Sequence, residues 1–108
     1  MKILQIMGSY KDGGAEIFYI DALAALKNIN IEQYAIVNYK NKKGISKLNE
    51  LNIPFTAVSF NKLFKWPTKS TVAKVIKEFK PDIAHYWMGR ASSFMINGEH
   101  INVGWHSG

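Results

Sequence analysis

The sequence predicts an α/β fold, a parallel sheet with helices on both of its faces. Three observations carry this prediction. Short apolar, β-branched runs alternate with helical segments along the whole chain. A glycine-rich turn separates the first strand-like run from the first helix, and an amphipathic stretch ends at a proline just before another strand-like run. Strands separated by helices cannot form tight hairpins, so they pair in parallel through crossovers, and the helices then cover both faces.

The elements follow in order. Lys2 to Met7 reads as a buried strand, and the turn GSYKDGGAE runs from Gly8 to Glu16. Ala15 to Leu26 is apolar on nearly every side (Ile17, Phe18, Ile20, Leu23, Leu26), as expected of a helix packed against a sheet. Glu32 to Val37 is the second strand, Lys43 to Leu51 a short helix, and Pro54 to Val58 the third strand. A loop spans Asn61 to Trp66. Pro67 opens an amphipathic helix to Lys80, with Val72, Val75, Ile76 and Phe79 as its apolar stripe, and Pro81 stops it. Asp82 to Trp87 is the fourth strand, Arg90 to Ile96 a short helix and His100 to His106 the fifth strand. The arrangement expected is a Rossmann-like three-layer α/β/α unit with strand order 3-2-1-4-5. Because a strand-like run precedes Trp105-His106-Ser107-Gly108 and should feed a further helix, residues 1–108 are expected to be part of a larger unit.

Composition narrows the function classes. The chain has 108 residues, 47% hydrophobic and 13% aromatic, which suits a folded globule. It has no cysteine, which excludes a disulfide scaffold and thiolate zinc sites, and its three histidines have no regular spacing. No metal is expected. There is no apolar run of about 18 residues and no signal-peptide pattern, so a cytoplasmic location is the default expectation. The net charge of +6 is uneven: residues 40–80 hold ten lysines against Glu50 and Glu78. These lysines read first as solvated helix and loop faces. Nucleic acid is not expected as a partner; peripheral contact with an anionic membrane is the alternative to solvated faces, because Asn61 to Trp66 mixes lysines with aromatics next to a lysine-bearing helix.

The residues with chemistry collect on one rim. In the order 3-2-1-4-5 the crevice between the C-terminal ends of the first and fourth strands is where a ligand binds. Gly13 and Gly14 stand at the first turn of the first helix, where free amides and the helix dipole face anions and where glycine permits close approach. The spacing is neither G-x-G-x-x-G nor G-x-x-x-x-G-K-[ST], so a turn made only for strand-to-helix packing is the other reading. His85 is placed at the end of the fourth strand and His106 after the fifth, with a satisfied core histidine and plain polar punctuation as the alternatives. Trp87 and Trp105 also read as core or interface filler.

Together, GGAE at the first helix, PDIAHYW across the fourth strand and WHSG after the fifth resemble the N-terminal domain of retaining GT-B glycosyltransferases of the GT4-like group. The resemblance covers the whole chain. It implies two facing Rossmann-like domains, of which this is the acceptor-side one and the donor-binding one is absent. The implied reaction moves a sugar from a nucleotide-sugar donor to a hydroxyl of a glycan or lipid-linked acceptor with retention, serving cell-envelope polysaccharide synthesis, with no cofactor beyond that substrate. By the same resemblance Gly13 and Gly14 approach the donor diphosphate and sugar, His85 is the catalytic candidate, and Trp87, Arg90 and His106 lie on the acceptor side. Many members carry His-x-His in the fourth segment, and here its second position is Trp87, which leaves a structural role for His85 open. Residues 1–108 alone are expected to be inactive and to self-associate through the fifth strand. Two other readings stay open: half of a GT-B-fold nucleotide-sugar epimerase, and a flavodoxin-like binding module with no enzymatic activity.

Overall fold

A computed structural model describes residues 1–8, 14–59, 65–87 and 100–105, without the side chains of residues 14–18, 65–66 and 103–105. Its elements are β1 (Lys2–Met7), α1 (Gly14–Asn28), β2 (Glu32–Asn38), α2 (Lys42–Glu50), β3 (Phe55–Val58), α3 (Lys65–Phe79), β4 (Ile83–Trp87) and β5 (Ile101–Trp105). The five strands form one parallel sheet in the order β3-β2-β1-β4-β5, as the sequence predicts. The expected short helix over Arg90 to Ile96 and most of the expected loop from Asn61 lie outside the described residues.

Side chains alternate across a strand, so the sheet sorts them onto two faces. Leu4 and Ile6 of β1, Ile36 of β2 and Ala84 and Tyr86 of β4 pack against Val72 and Val75 of α3. Met7, Ala35, Val37 and Trp87 point the other way, toward Tyr19 and Leu23 of α1 and Leu48 of α2. The result is three layers. The stripe of α3 is the expected one, with Ile76 and Phe79 at its margin. This helix starts two residues before Pro67, because a proline in the first turn loses no intrahelical hydrogen bond and need not be the first residue.

Helix ends are set by local chemistry. In α2, the Asn41 side chain accepts a hydrogen bond from the Gly44 N–H at 2.9 Å, which satisfies one of the free amides at the start. Both α1 and α2 end on an asparagine in the left-handed region, Asn30 at φ 61° and Asn52 at φ 56°. The Ile31 N–H bonds back to the Leu26 carbonyl at 3.1 Å and the Ile53 N–H to the Leu48 carbonyl at 3.0 Å, closing a Schellman motif each time. At the end of α3 the left-handed residue is Lys80, φ 53°. Pro81 has no N–H for the second bond of that motif, and the turn closes through the Lys80 N–H on the Ile76 carbonyl at 2.9 Å.

Candidate functional site

The C-terminal rim of the sheet begins at Gly8, directly after β1, and one side chain fixes it. Asn38, the last residue of β2, is buried; its Nδ2 donates to the Gly8 carbonyl at 2.9 Å, and its Oδ1 accepts the Lys40 N–H at 3.0 Å. Both ends of one amide therefore tie the entry of the glycine-rich turn to the entry of the β2–α2 turn. Gly14 is the first residue of α1, so its N–H has no partner within the helix and stands at the positive end of the dipole. Gly13, Arg90 and His106 lie outside the described residues.

His85 is the third of five residues in β4 and pairs in register with Gln5 of β1 and Val103 of β5. The sequence reading ended this strand at Trp87, as observed, but counted His85 with the rim. The strand runs two residues further, through the Tyr86–Ile6 and Trp87–Met7 pairs, which sets His85 roughly 7 Å below the rim. Its ring is half-buried on the α1 face, 4.2 Å from the Trp87 ring with 38° between the planes. Burial holds its pKa below the usual imidazole range, so the ring is neutral at pH 7.

Trp87 is 2% exposed and packs in the α1-facing core. Tyr19 meets its ring edge-on, with centroids 5.3 Å apart and planes at 72°. The indole Nε1–H donates to Gln5 Oε1 at 2.8 Å. Gln5 Nε2 then donates to Gln33 Oε1 at 3.1 Å, and Gln33 Nε2 donates to the Leu23 carbonyl of α1 at 3.0 Å. The two glutamines are 1% and 4% exposed. The sequence reading singled out neither of them, nor Asn38. The signal available was parity: Gln5 and Gln33 occupy positions facing the core in otherwise apolar strands, and a buried amide must find partners.

Burial also pushes the Tyr19 phenol well above its usual range, and its hydroxyl has no hydrogen-bond partner among the described residues. At the opposite end of the sheet a shallow cavity of about 210 Å³ is lined by Lys27, Glu32, Gln33, Asn52, Pro54 and Phe79. It lies by the strands' N-terminal ends, away from the rim where α/β sheets bind ligands. No helix among the described residues is long and apolar enough to cross a membrane.

No protein-family model matches the chain. Over 100 residues, 88% of its length, it is 32% identical to the lipopolysaccharide core biosynthesis glycosyltransferase LpsD of Rhizobium meliloti (strain 1021). The same match spans 27% of that relative. Among solved structures, a glycosyltransferase from Rickettsia africae ESF-5 superposes with a TM-score of 0.70 at 18% identity, over 95% of this chain and 28% of the other. Anabaena Alr3699/HepE, crystallised in complex with UDP, superposes with a TM-score of 0.57 at 22% identity, over 79% of this chain and 22% of the other. The chain thus spans about a quarter of the length of the proteins it resembles. It is homologous to a glycosyltransferase at modest identity, and it has the five-strand parallel α/β fold found in a solved glycosyltransferase.

Proposed function

We propose that this chain is the N-terminal, acceptor-side domain of a retaining GT-B glycosyltransferase of the GT4-like group. In this reading it works with a second, donor-binding domain to transfer a sugar from a nucleotide-sugar to a hydroxyl of a cell-envelope glycan or lipid-linked acceptor. The observation that carries the proposal is the 32% identity to LpsD, which runs through nearly the whole chain. The UDP held by the Anabaena structure makes uridine-diphosphate sugars the first donors to try.

Departure of the diphosphate develops negative charge that water would otherwise solvate. Amides at Gly13 and Gly14 approach that charge from the N-terminal side of the cleft, and one well-placed donor of this kind contributes about 3 kcal/mol in the transition state. Asn38 holds the other end of the turn by its bond to the Gly8 carbonyl. His85 presents a neutral imidazole that can donate from one nitrogen and accept at the other, and is assigned to the reacting sugar. Arg90 and His106 are assigned to the acceptor. Trp87 is assigned to the wall behind that site.

The test uses the full-length enzyme with UDP-sugars and a lipopolysaccharide-core acceptor, with product mass and anomeric configuration as the readout. Gly14→Val fills the approach to the diphosphate and is expected to abolish transfer while the circular dichroism of the fold is kept. Wild-type turnover in that variant would remove the glycine assignment. An acceptor that gains no sugar, with a changed sugar in the nucleotide pool instead, would favour an epimerase.

The lysines of residues 62–80 are assigned to contact with an anionic membrane. Flotation with vesicles is expected to rise with their anionic lipid content. Binding independent of that content would end the assignment.

A further inference from the structure

We propose that Gln5 is a positioning residue, which fixes the plane of the Trp87 indole through its side-chain amide and, through that ring, the setting of the His85 imidazole. The functional part of this inference rests on the reading that His85 acts on the reacting sugar.

The direction of the relay is determined at both ends. An indole N–H only donates and a backbone carbonyl only accepts. The Gln5 oxygen must therefore face Trp87, its NH₂ must face the Gln33 oxygen, and the Gln33 NH₂ must face the Leu23 carbonyl, as the three bonds show. Neither amide can turn over without setting two donors or two acceptors against each other in a buried site. The indole has the same constraint, since rotating it would take its N–H away from Gln5. Tyr19 covers the ring edge-on. The relay crosses from α1 through β2 and β1 to β4, so the helix that opens at the glycine turn and the strand that carries His85 are held in one relation. Gln5 is also the register partner of His85 on β1 while bonding to Trp87 two residues on. Two neighbouring residues on one face of β4 are thus set by one side chain, and the 4.2 Å ring contact passes the Trp87 setting to His85.

The first test is spectroscopic and needs no activity. In ¹⁵N-labelled protein, with the Trp87 indole resonance assigned by Trp87→Phe, Gln5→Met keeps length and removes both hydrogen bonds. The expected result is indole N–H exchange about tenfold faster, the factor that loss of one ordinary hydrogen bond produces, with displaced His85 ring signals. Gln5→Glu, protonated at this buried position, keeps an acceptor for the indole and an O–H for Gln33, and is expected to restore both signals. Val72→Ala, on the opposite face, controls for lost stability and should leave the His85 signals in place. Unchanged indole exchange in Gln5→Met overturns the proposal. Where that variant does not fold, fast exchange in Gln5→Glu overturns it equally.

The second test is kinetic, in the full-length enzyme. Gln5→Met should lower kcat with the donor KM near wild type, and Gln5→Glu should recover most of the loss. If His85→Asn transfers sugar at the wild-type rate while the spectroscopic changes are present, the reading of His85 fails and the positioning of its ring by Gln5 stands.

Discussion

The two faces of the sheet are built from the same five strands and differ in what they bury. The α3 face is closed by Leu4, Ile6, Ile36, Ala84, Val72 and Val75, and its polar groups include the hydroxyls of Tyr86, of Tyr34 on Thr56 and of Thr68 on the Ser59 carbonyl. The α1 face buries Met7, Val37, Leu23 and Leu48 as well, but it also takes in Gln5, Gln33, Trp87 and Tyr19. Apolar contacts are non-directional and tolerate small shifts, whereas a chain of amides holds only when each donor meets its acceptor. The α3 face supplies stability and the α1 face supplies orientation. The second is the face that carries His85 and the helix that opens at Gly14.

This contrast can be broken most forcefully from the apolar side. Ile6→Ala leaves a cavity in the α3-facing cluster and is expected to cost about 2–5 kcal/mol in chemical denaturation. The Trp87 indole signal should stay where it is in the folded state. If that signal moves as far as it does on removal of a glutamine, the two faces are not separate in function.

A smaller effect is expected from Gln33→Leu on the polar side. The change is close in volume but strands the Gln5 NH₂ and removes the bond to Leu23, at a cost of about 1–3 kcal/mol. Its mark is a disturbed α1, seen as faster amide exchange near Leu23. A stability equal to wild type would mean that the two glutamines are replaceable filler and that the polarity of this face has no structural role.

The smallest contrast is a dependence on pH that belongs to one face alone. Burial lowers the His85 pKa in the folded chain, while the unfolded value lies near ~6.5. Between the two the unfolded state binds more protons, so this contribution is complete above about 6.5 and is lost as pH falls toward the folded value. Urea midpoints measured on either side of that window should fall on acidification in wild type and stay flatter in His85→Phe. Equal slopes would show that His85 is not the group responsible.

Much of this architecture is legible in the chain. Strand and helix alternation dictates parallel pairing, and the spacing of Val72, Val75, Ile76 and Phe79 identifies the face of α3 that is buried. The inner face of α1 is not legible in the same way. With apolar residues on nearly every side, its pattern does not single out Tyr19 and Leu23, which are fully buried among its described side chains; packing against Trp87 and Val37 does. The position of His85 shows the same limit: β4 ends at Trp87, as the sequence predicts, but His85 sits two residues below the rim where the sequence reading placed it.

The sequence alone determined the order of the described elements, the layer architecture and the opening of α1 at the glycine pair, because these depend on periodicity and on the conformational limits of individual residues. Only the tertiary structure decided that Trp87 turns inward to Gln5, that Gln5 meets Gln33 across 28 residues and that Asn38 reaches the Gly8 carbonyl. The reason is physical. Alternation along a strand records which face a side chain takes, but its partner is chosen by the register between strands, and no local pattern carries that register.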